Sequence, residues 1–440
     1  MTNVKLTASA VLDRELFWAR GKSVRYLVAR LEARRDDDPR EAERLPLNLA
    51  LVIDASGSMA DGKLEAAKEA ALGLTERLTQ EDRLTVVSFA SDVVVHLDAM
   101  PVTAENAIRI RKEISRLQTR GMTHLSGGWF SGVECAARVA EENPKMAPRV
   151  ILLSDGHANE GIVDPEELRE HAGELRMRGV LTSCLGIGDG YDEQLLRGIA
   201  ENGGGRLHDA ELTSEISSVL LGELDDIFGT VIEDARISLL APKGVKVEVL
   251  GRGNSEVDSD QMVVHLGPIQ NQIERVAVFK LTCPKAEKGD VLEFQVTGSG
   301  RAVEDGTLLK ARSATVSLVA AGGSANTAQQ RDMSTVALVA RIWSAHVVSE
   351  AARMNRDGAY QDAERFIRRE LGYFYRYVDG LPQGHEMAAE LELLAGRVGH
   401  QLSSRMHKEM VLQSSLAMES RRDRRGDSKA AWSARMRRGD

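Results

Sequence analysis

Aromatic residues are scarce in this sequence, 4% of 440 residues, so its cores must rest on Leu, Val, Ile and Ala. Cysteine is scarcer still. Cys135, Cys184 and Cys283 lie far apart, and an odd number without a pairing motif predicts reduced thiols in a cytoplasmic protein. No stretch approaches the ~18 apolar residues needed to span a bilayer, and the opening "MTNVKLTASAVLDREL" lacks the apolar core of a signal peptide. Positive charge is not in excess either. A net charge of −9 argues against general nucleic-acid affinity and predicts no nucleic-acid partner. What is present, 42% hydrophobic and 28% charged residues, is the composition of a soluble globular protein with room for two or three domains.

Residues 46–229 alternate apolar, strand-like runs with amphipathic, helix-like ones. "LPLNLALVID" (45–54), "RLTVVSFA" (83–90), "PRVILLSDG" (148–156) and "GVLTSCLGIG" (179–188) are the clearest strands. Helical patterns cover about 62–79, 103–117, 126–142, 164–179, 192–201 and 213–229. Such alternation predicts an α/β domain with a doubly wound, mostly parallel sheet covered on both faces. The flanks differ. "VKLTASAVLD" and "KSVRYLVARLEA" before this region, and "VKVEVL", "ERVAVFKLTC" and "VLEFQVTG" after it, look like antiparallel strands. The expected organisation is an N-terminal β segment (1–45) and a β-sandwich (230–320) into which the α/β domain (46–229) is inserted. "AAGGSANTAQQ" (320–330) reads as a linker, 327–420 as a helical region, and the Arg-rich 421–440 as a disordered tail. The charged "ARRDDDPREAER" (33–44) reads as a solvated crossing.

In an open parallel sheet, ligands collect at the carboxyl ends of the strands. Asp54 ends the first α/β strand and is followed by Ser56 and Ser58. "RGMTHLSGG" (120–128) places Thr123 ahead of a helix, with Gly121, Gly127 and Gly128 making its loop adaptable. Asp155 ends "RVILLSD". Two carboxylates and three hydroxyls on three loops are hard oxygen donors, which suit Mg²⁺ or Mn²⁺ and disfavour zinc or copper. The carboxylates neutralise a dication, and the neutral hydroxyls leave it able to take one more anionic oxygen.

The ordered set Asp54, Ser56, Ser58, Thr123 and Asp155, with "GMTHLSGG", "LLSDGHANEG" and "LGIGDGYDEQLLRGIAENGGG" around it, resembles the von Willebrand factor A family and its metal-ion-dependent adhesion site. The resemblance covers about 46–229. It implies that these five residues hold Mg²⁺, Mn²⁺ or Ca²⁺, with an Asp or Glu of a partner protein supplying a further ligand. The wider layout is similar to bacterial proteins related to inter-alpha-trypsin inhibitor heavy chains. Bacterial domains of this type often partner AAA-type ATPases, which the resemblance extends to this chain as an expectation.

Simpler readings compete at each position. Ser58 could cap the following helix, but one cap explains one residue and not five. A nucleophilic Ser56 lacks the G-x-S-x-G elbow. "GIGDG" (186–190) reads as a turn. His124 and His157 read as loop residues, and with Glu160 they are the base candidates that a hydrolase would need. "RGD" at Arg425–Asp427 and Arg438–Asp440 offers a carboxylate but arises readily by chance in an Arg-rich tail. The sequence therefore predicts a cytoplasmic, non-enzymatic, divalent-metal-dependent protein-interaction module acting as adaptor or scaffold. The rivals are a Mg²⁺-dependent hydrolase and a structural scaffold whose metal only stiffens loops.

Overall fold

A computed structural model describes residues 3–35, 44–143, 145–251, 255–258 and 260–419. Residues 36–43 of the charged run, and the tail 421–440 with both RGD tripeptides, lie outside the described residues. Three strands open the chain: β1 (Val4–Leu12), β2 (Leu16–Trp18) and β3 (Val24–Arg35). The chain then enters an α/β unit, residues 37–230 with 303–305, and the rest forms a second unit.

The α/β unit contains β4 (Leu47–Asp54), α1 (Lys63–Thr75), β5 (Arg83–Phe89), β6 (Val93–Pro101), α2 (Ala107–Ser115) and α3 (Leu125–Glu142). It continues with β7 (Ala147–Ser154), α4 (Pro165–Met177), β8 (Leu181–Ile187), α5 (Glu193–Asn202), β9 (Gly204–Ala210) and α6 (Thr213–Gly229). The sheet order is β6-β5-β4-β7-β8-β9, and only the edge strand β6 runs antiparallel to its neighbour. The doubly wound fold expected from the alternation is what forms. From β4 the chain builds toward one edge, and from β7 toward the other, so the winding reverses between these two central strands.

Both faces of β4 are covered, and apart from Asn48, which donates to Ala136 O, and Asp54 at its end, its residues are apolar. Leu47, Leu49, Leu51 and Ile53 pack with α1 and α6, while Ala50 and Val52 point the other way into the layer of α3, α4 and α5. Successive side chains on a strand face opposite sides, so a strand buried twice reads as one apolar run. The glycines of "LSGGWFSG" correct an expectation. Gly127 and Gly128 are helical residues of α3, not loop hinges. A Cβ on Gly128 would stand 2.5 Å from the Phe89 ring, and one on Gly132 would stand 2.3 Å from Val52 Cγ2. These glycines let α3 lie close on β5 and β4. Gly121, at φ +55°, remains a loop position with left-handed backbone.

In the second unit, β10 (Thr230–Leu240), β11 (Lys246–Leu250), β12 (Ser255–Asp258), β13 (Gln261–Gln270), β14 (Ile273–Thr282), β15 (Val291–Ala302), β16 (Leu308–Lys310) and β17 (Ala314–Ala321) join the first three strands. One sheet is ordered β1-β3-β14-β11. The other is β12-β13-β10-β15-β17-β2, with β16 on β15. The N-terminal strands thus pair with strands that follow the α/β unit, as an insertion requires. Leu27, Leu31 and Phe279 of one sheet meet Ile237, Phe294 and Val296 of the other in the sandwich core.

The opposite face of β3, Tyr26 and Val28, packs on a helical layer. That layer is α8 (Met333–Arg356), α9 (Tyr360–Tyr377), α10 (Gly384–Val398) and α11 (Ser404–Met418), preceded by the short α7 (Gly323–Ala328), which lies against β2. Tyr26 meets Tyr377 edge-on at 4.8 Å between ring centroids. The expected linker 320–330 is therefore structured: β17 reaches Ala321 and α7 fills 323–328. Gln329 behind it accepts from Leu16 N at 2.8 Å and donates to Leu16 O at 3.0 Å, matching both backbone groups of β2 as a neighbouring strand would. All three cysteines are buried and free. Among the described residues, no helix is long and apolar enough to cross a membrane.

Candidate metal centre

The reversal between β4 and β7 leaves a crevice at their carboxyl ends, the place where an open α/β sheet receives ligands. Asp54 is the last residue of β4, and Asp155 directly follows β7. Both are buried, at 0% and 1% exposure. The sequence puts them there because each terminates an apolar strand whose neighbours fix its depth.

After Asp54 the chain makes a short 3₁₀ turn, Gly57–Met59, before α1. Neither serine caps a helix. Ser56 makes no side-chain capping bond to the turn, and α1 is preceded by Gly62. Instead, the Ser56 N–H donates to Asp54 Oδ1 at 2.8 Å, and the Ser56 and Ser58 hydroxyls lie 3.0 Å apart. Ser58 Oγ donates to Asp155 Oδ1 at 2.6 Å. Four of the five expected residues are thus linked in one hydrogen-bonded chain. The fifth joins them across Gly156: a Cβ built there would be 3.4 Å from Ser58 Oγ and 3.9 Å from Thr123 Oγ1. The missing side chain of Gly156 leaves a cradle rimmed by both hydroxyls.

Electrostatics favour a cation in this cradle. Burial pushes the Asp54 carboxyl up, the hydrogen bonds from Ser154 and Ser56 work against that rise, and the charge of Asp155 adds to it. A cation there would offset both the desolvation and the repulsion. The donors are oxygens throughout, as Mg²⁺, Mn²⁺ or Ca²⁺ prefer, so the residues fit such an ion.

Three residues of the site were not singled out by the sequence. Ser154 Oγ donates to Asp54 Oδ2 at 2.7 Å and fixes the carboxylate's orientation; a hydroxyl at the end of an otherwise apolar strand was the available signal. Asn159 clamps the threonine loop, since its Oδ1 accepts from Thr123 N at 2.8 Å while its own N–H donates to Thr123 O at 3.1 Å. Lys63 Nζ lies 2.5 Å from Asp155 Oδ2. A lysine at the first position of a helix, against the helix dipole, was its signal.

The base candidates are placed less well for chemistry. The His124 ring is packed between Gly127 and Gly161, where an added Cβ would come within 2.8 Å and 2.4 Å of it. His157 is 71% exposed, with Nδ1 3.6 Å from Asp192. Glu160 is half-buried, and its N–H donates to Thr123 O at 3.3 Å. Gly186 and Ile187 of "GIGDG" still belong to β8, so the expected turn is only Gly188–Gly190, and a Cβ on Gly190 would be 2.7 Å from Asp155 O. No group of three His, Cys, Asp or Glu suited to a metal occurs among the described residues.

Residues 48–220 match the von Willebrand factor type A domain family. An uncharacterized protein of Synechocystis sp. is 35% identical over 204 residues, 46% of this chain and 46% of its own length. Human inter-alpha-trypsin inhibitor heavy chain H3 is 33% identical over 165 residues, 36% of this chain and 18% of its own. The chain spans less than half the length of these curated relatives. A solved von Willebrand factor type A structure from Catenulispora acidiphila is similar in fold, with a TM-score of 0.67 over 93% of this chain and 96% of that one at 17% identity. Residues 48–220, which hold all five oxygen-donor side chains, form a von Willebrand factor type A domain.

Proposed function

We propose that this chain is a divalent-metal-dependent protein-binding module, an adaptor or scaffold rather than an enzyme. Asp54, Ser56, Ser58, Thr123 and Asp155 would hold the ion, with Mg²⁺ the first choice and Mn²⁺ or Ca²⁺ alternatives. Bound there, the ion would offer a Lewis-acidic position to an Asp or Glu of a partner protein. The observation that carries this reading is the chain of side-chain contacts from Ser56 through Ser58 to Asp155, with Asp54 held beside it, at the reversal point of the sheet.

The chain's residues divide the work. Ser154 and the Ser56 N–H orient Asp54, Asn159 holds Thr123 at the rim, and α3 packs closely on the strands that carry the site. A hydrolase would need a base facing the ion, and His124 packs against Gly127 and Gly161 while His157 turns toward Asp192. An AAA-type ATPase in the cytoplasm is the proposed class of partner. Retention of proteins from native lysate on the immobilised chain, with Mg²⁺ and with EDTA, tests the reading. Metal-dependent capture that Asp155→Asn abolishes supports it, whereas capture that survives EDTA leaves the metal a purely structural part.

A further inference from the structure

Lys63 is the first residue of α1, where the partial positive charge of the helix end disfavours a cation. The residue before it, Gly62, offers no side-chain cap. The ammonium is held by other groups: Nζ donates to Asp155 Oδ2 at 2.5 Å and to Ser58 O at 3.1 Å. The Asp155 side chain is 0% exposed and that of Lys63 is 29% exposed, so a cation reaches inward from the surface to match a buried anion. The turn after β8 packs beside the pair. A Cβ on Gly188 would be 3.8 Å from Lys63 Cε, and one on Gly190 would be 2.7 Å from Asp155 O. The turn that ends "GIGDG", left without a role by the sequence, thus borders the Lys63 stem and fits closely against the Asp155 backbone.

We propose that Lys63 is a resident counter-cation of the metal centre: by holding one oxygen of Asp155, it keeps divalent-metal affinity below what the two carboxylates alone would give. This rests on the metal reading above. Ionised Asp54 and Asp155 carry two negative charges, and Lys63 reduces the total to one. A dication then leaves the site with net positive charge, which favours an anionic oxygen from outside. Without the lysine the carboxylates would neutralise the dication, and that preference would weaken. Lys63 therefore lowers the affinity for metal alone and raises the preference for metal together with an acid.

The test uses the full chain and Mn²⁺ alone. Lys63→Met keeps the apolar stem, Lys63→Gln keeps a hydrogen-bond donor, and Lys63→Arg keeps the charge. Calorimetric titration at moderate salt should find Mn²⁺ bound about five- to tenfold more tightly by Lys63→Met and Lys63→Gln than by wild type, given charges a few ångströms apart in a partly buried site. Lys63→Arg should stay within about twofold of wild type by the same reasoning. The metal-free melting temperature should fall in both neutral variants, and saturating Mn²⁺ should raise it by more than in wild type. Equal or weaker Mn²⁺ binding by the neutral variants, with wild type binding, overturns the role of Lys63 and leaves the metal site standing. Binding by neither wild type nor variants overturns the metal reading and this inference with it.

Discussion

Ser58 and Asp155, 97 residues apart in the chain, are joined by a 2.6 Å hydrogen bond across the carboxyl ends of β4 and β7. That contact ties the loop after the first strand of the α/β unit, β4, to the loop after its fourth strand, β7, and it sets the spacing of two oxygens proposed to share one ion. It also makes the site part of the fold's packing. Asp54 and Asp155 are buried, so their replacement perturbs more than a surface charge.

Asp54→Asn and Asp155→Asn are therefore better probes than alanine, because they keep volume and remove charge. Each should weaken Mn²⁺ binding by about a hundredfold or more, as expected when a dication loses one of two anionic groups. Titration calorimetry checks this beside circular dichroism for an intact fold. Wild-type affinity in both variants would remove the site.

Ser154→Ala deletes the hydroxyl that donates to Asp54 Oδ2. The carboxylate keeps its charge but loses its orientation, so Mn²⁺ affinity should fall by about tenfold, the scale seen for outer-sphere partners of metal ligands. A loss as large as that of Asp54→Asn would mean that Ser154 itself holds the ion.

Metal should stabilise the α/β unit by mass action. At a hundred times its dissociation constant, Mg²⁺ or Mn²⁺ should add about 2.7 kcal/mol. Differential scanning calorimetry with metal and with EDTA measures this, and the gain should vanish in Asp155→Asn.

Asp82 anchors the start of β4. It accepts from the Leu47 N–H at 2.8 Å, from the Thr79 N–H at 2.6 Å and from Arg44 Nη1 at 2.7 Å. Burial alone would raise its carboxyl, but Arg44 and the two N–H groups outweigh that and hold it below the usual carboxylate range. A depressed folded pKa contributes stability that is complete above the unfolded value near 4 and is lost as pH falls through the lower folded value. Asp82→Asn should cost about 1–3 kcal/mol at neutral pH. Its deficit relative to wild type should shrink below about pH 4 in urea unfolding curves. A deficit independent of pH would assign the cost to geometry rather than charge.

Gly128→Ala places a Cβ against the Phe89 ring, where 2.5 Å is available. Either α3 or Phe89 must shift, at a cost of about 1–3 kcal/mol for overpacking. Unchanged stability would show that α3 can slide on the sheet.

The alternation of apolar and amphipathic segments, and the strand ends carrying Asp54 and Asp155, are local properties of the chain. Periodicity in a short window reports which faces are buried, so the doubly wound sheet was legible in the sequence, as was the order of the five oxygen donors. Some readings failed for the opposite reason. Gly127 and Gly128 look like hinge residues until α3 is seen lying on Phe89, and 320–330 looks like a linker until Gln329 meets Leu16. The roles of Lys63, Ser154 and Asn159 depend on partners 92, 100 and 36 residues away. Sequence fixes what a side chain can donate or accept, but strand order decides what stands opposite it. That order is set by how the central strands bury both faces at once, and only the tertiary structure contains it.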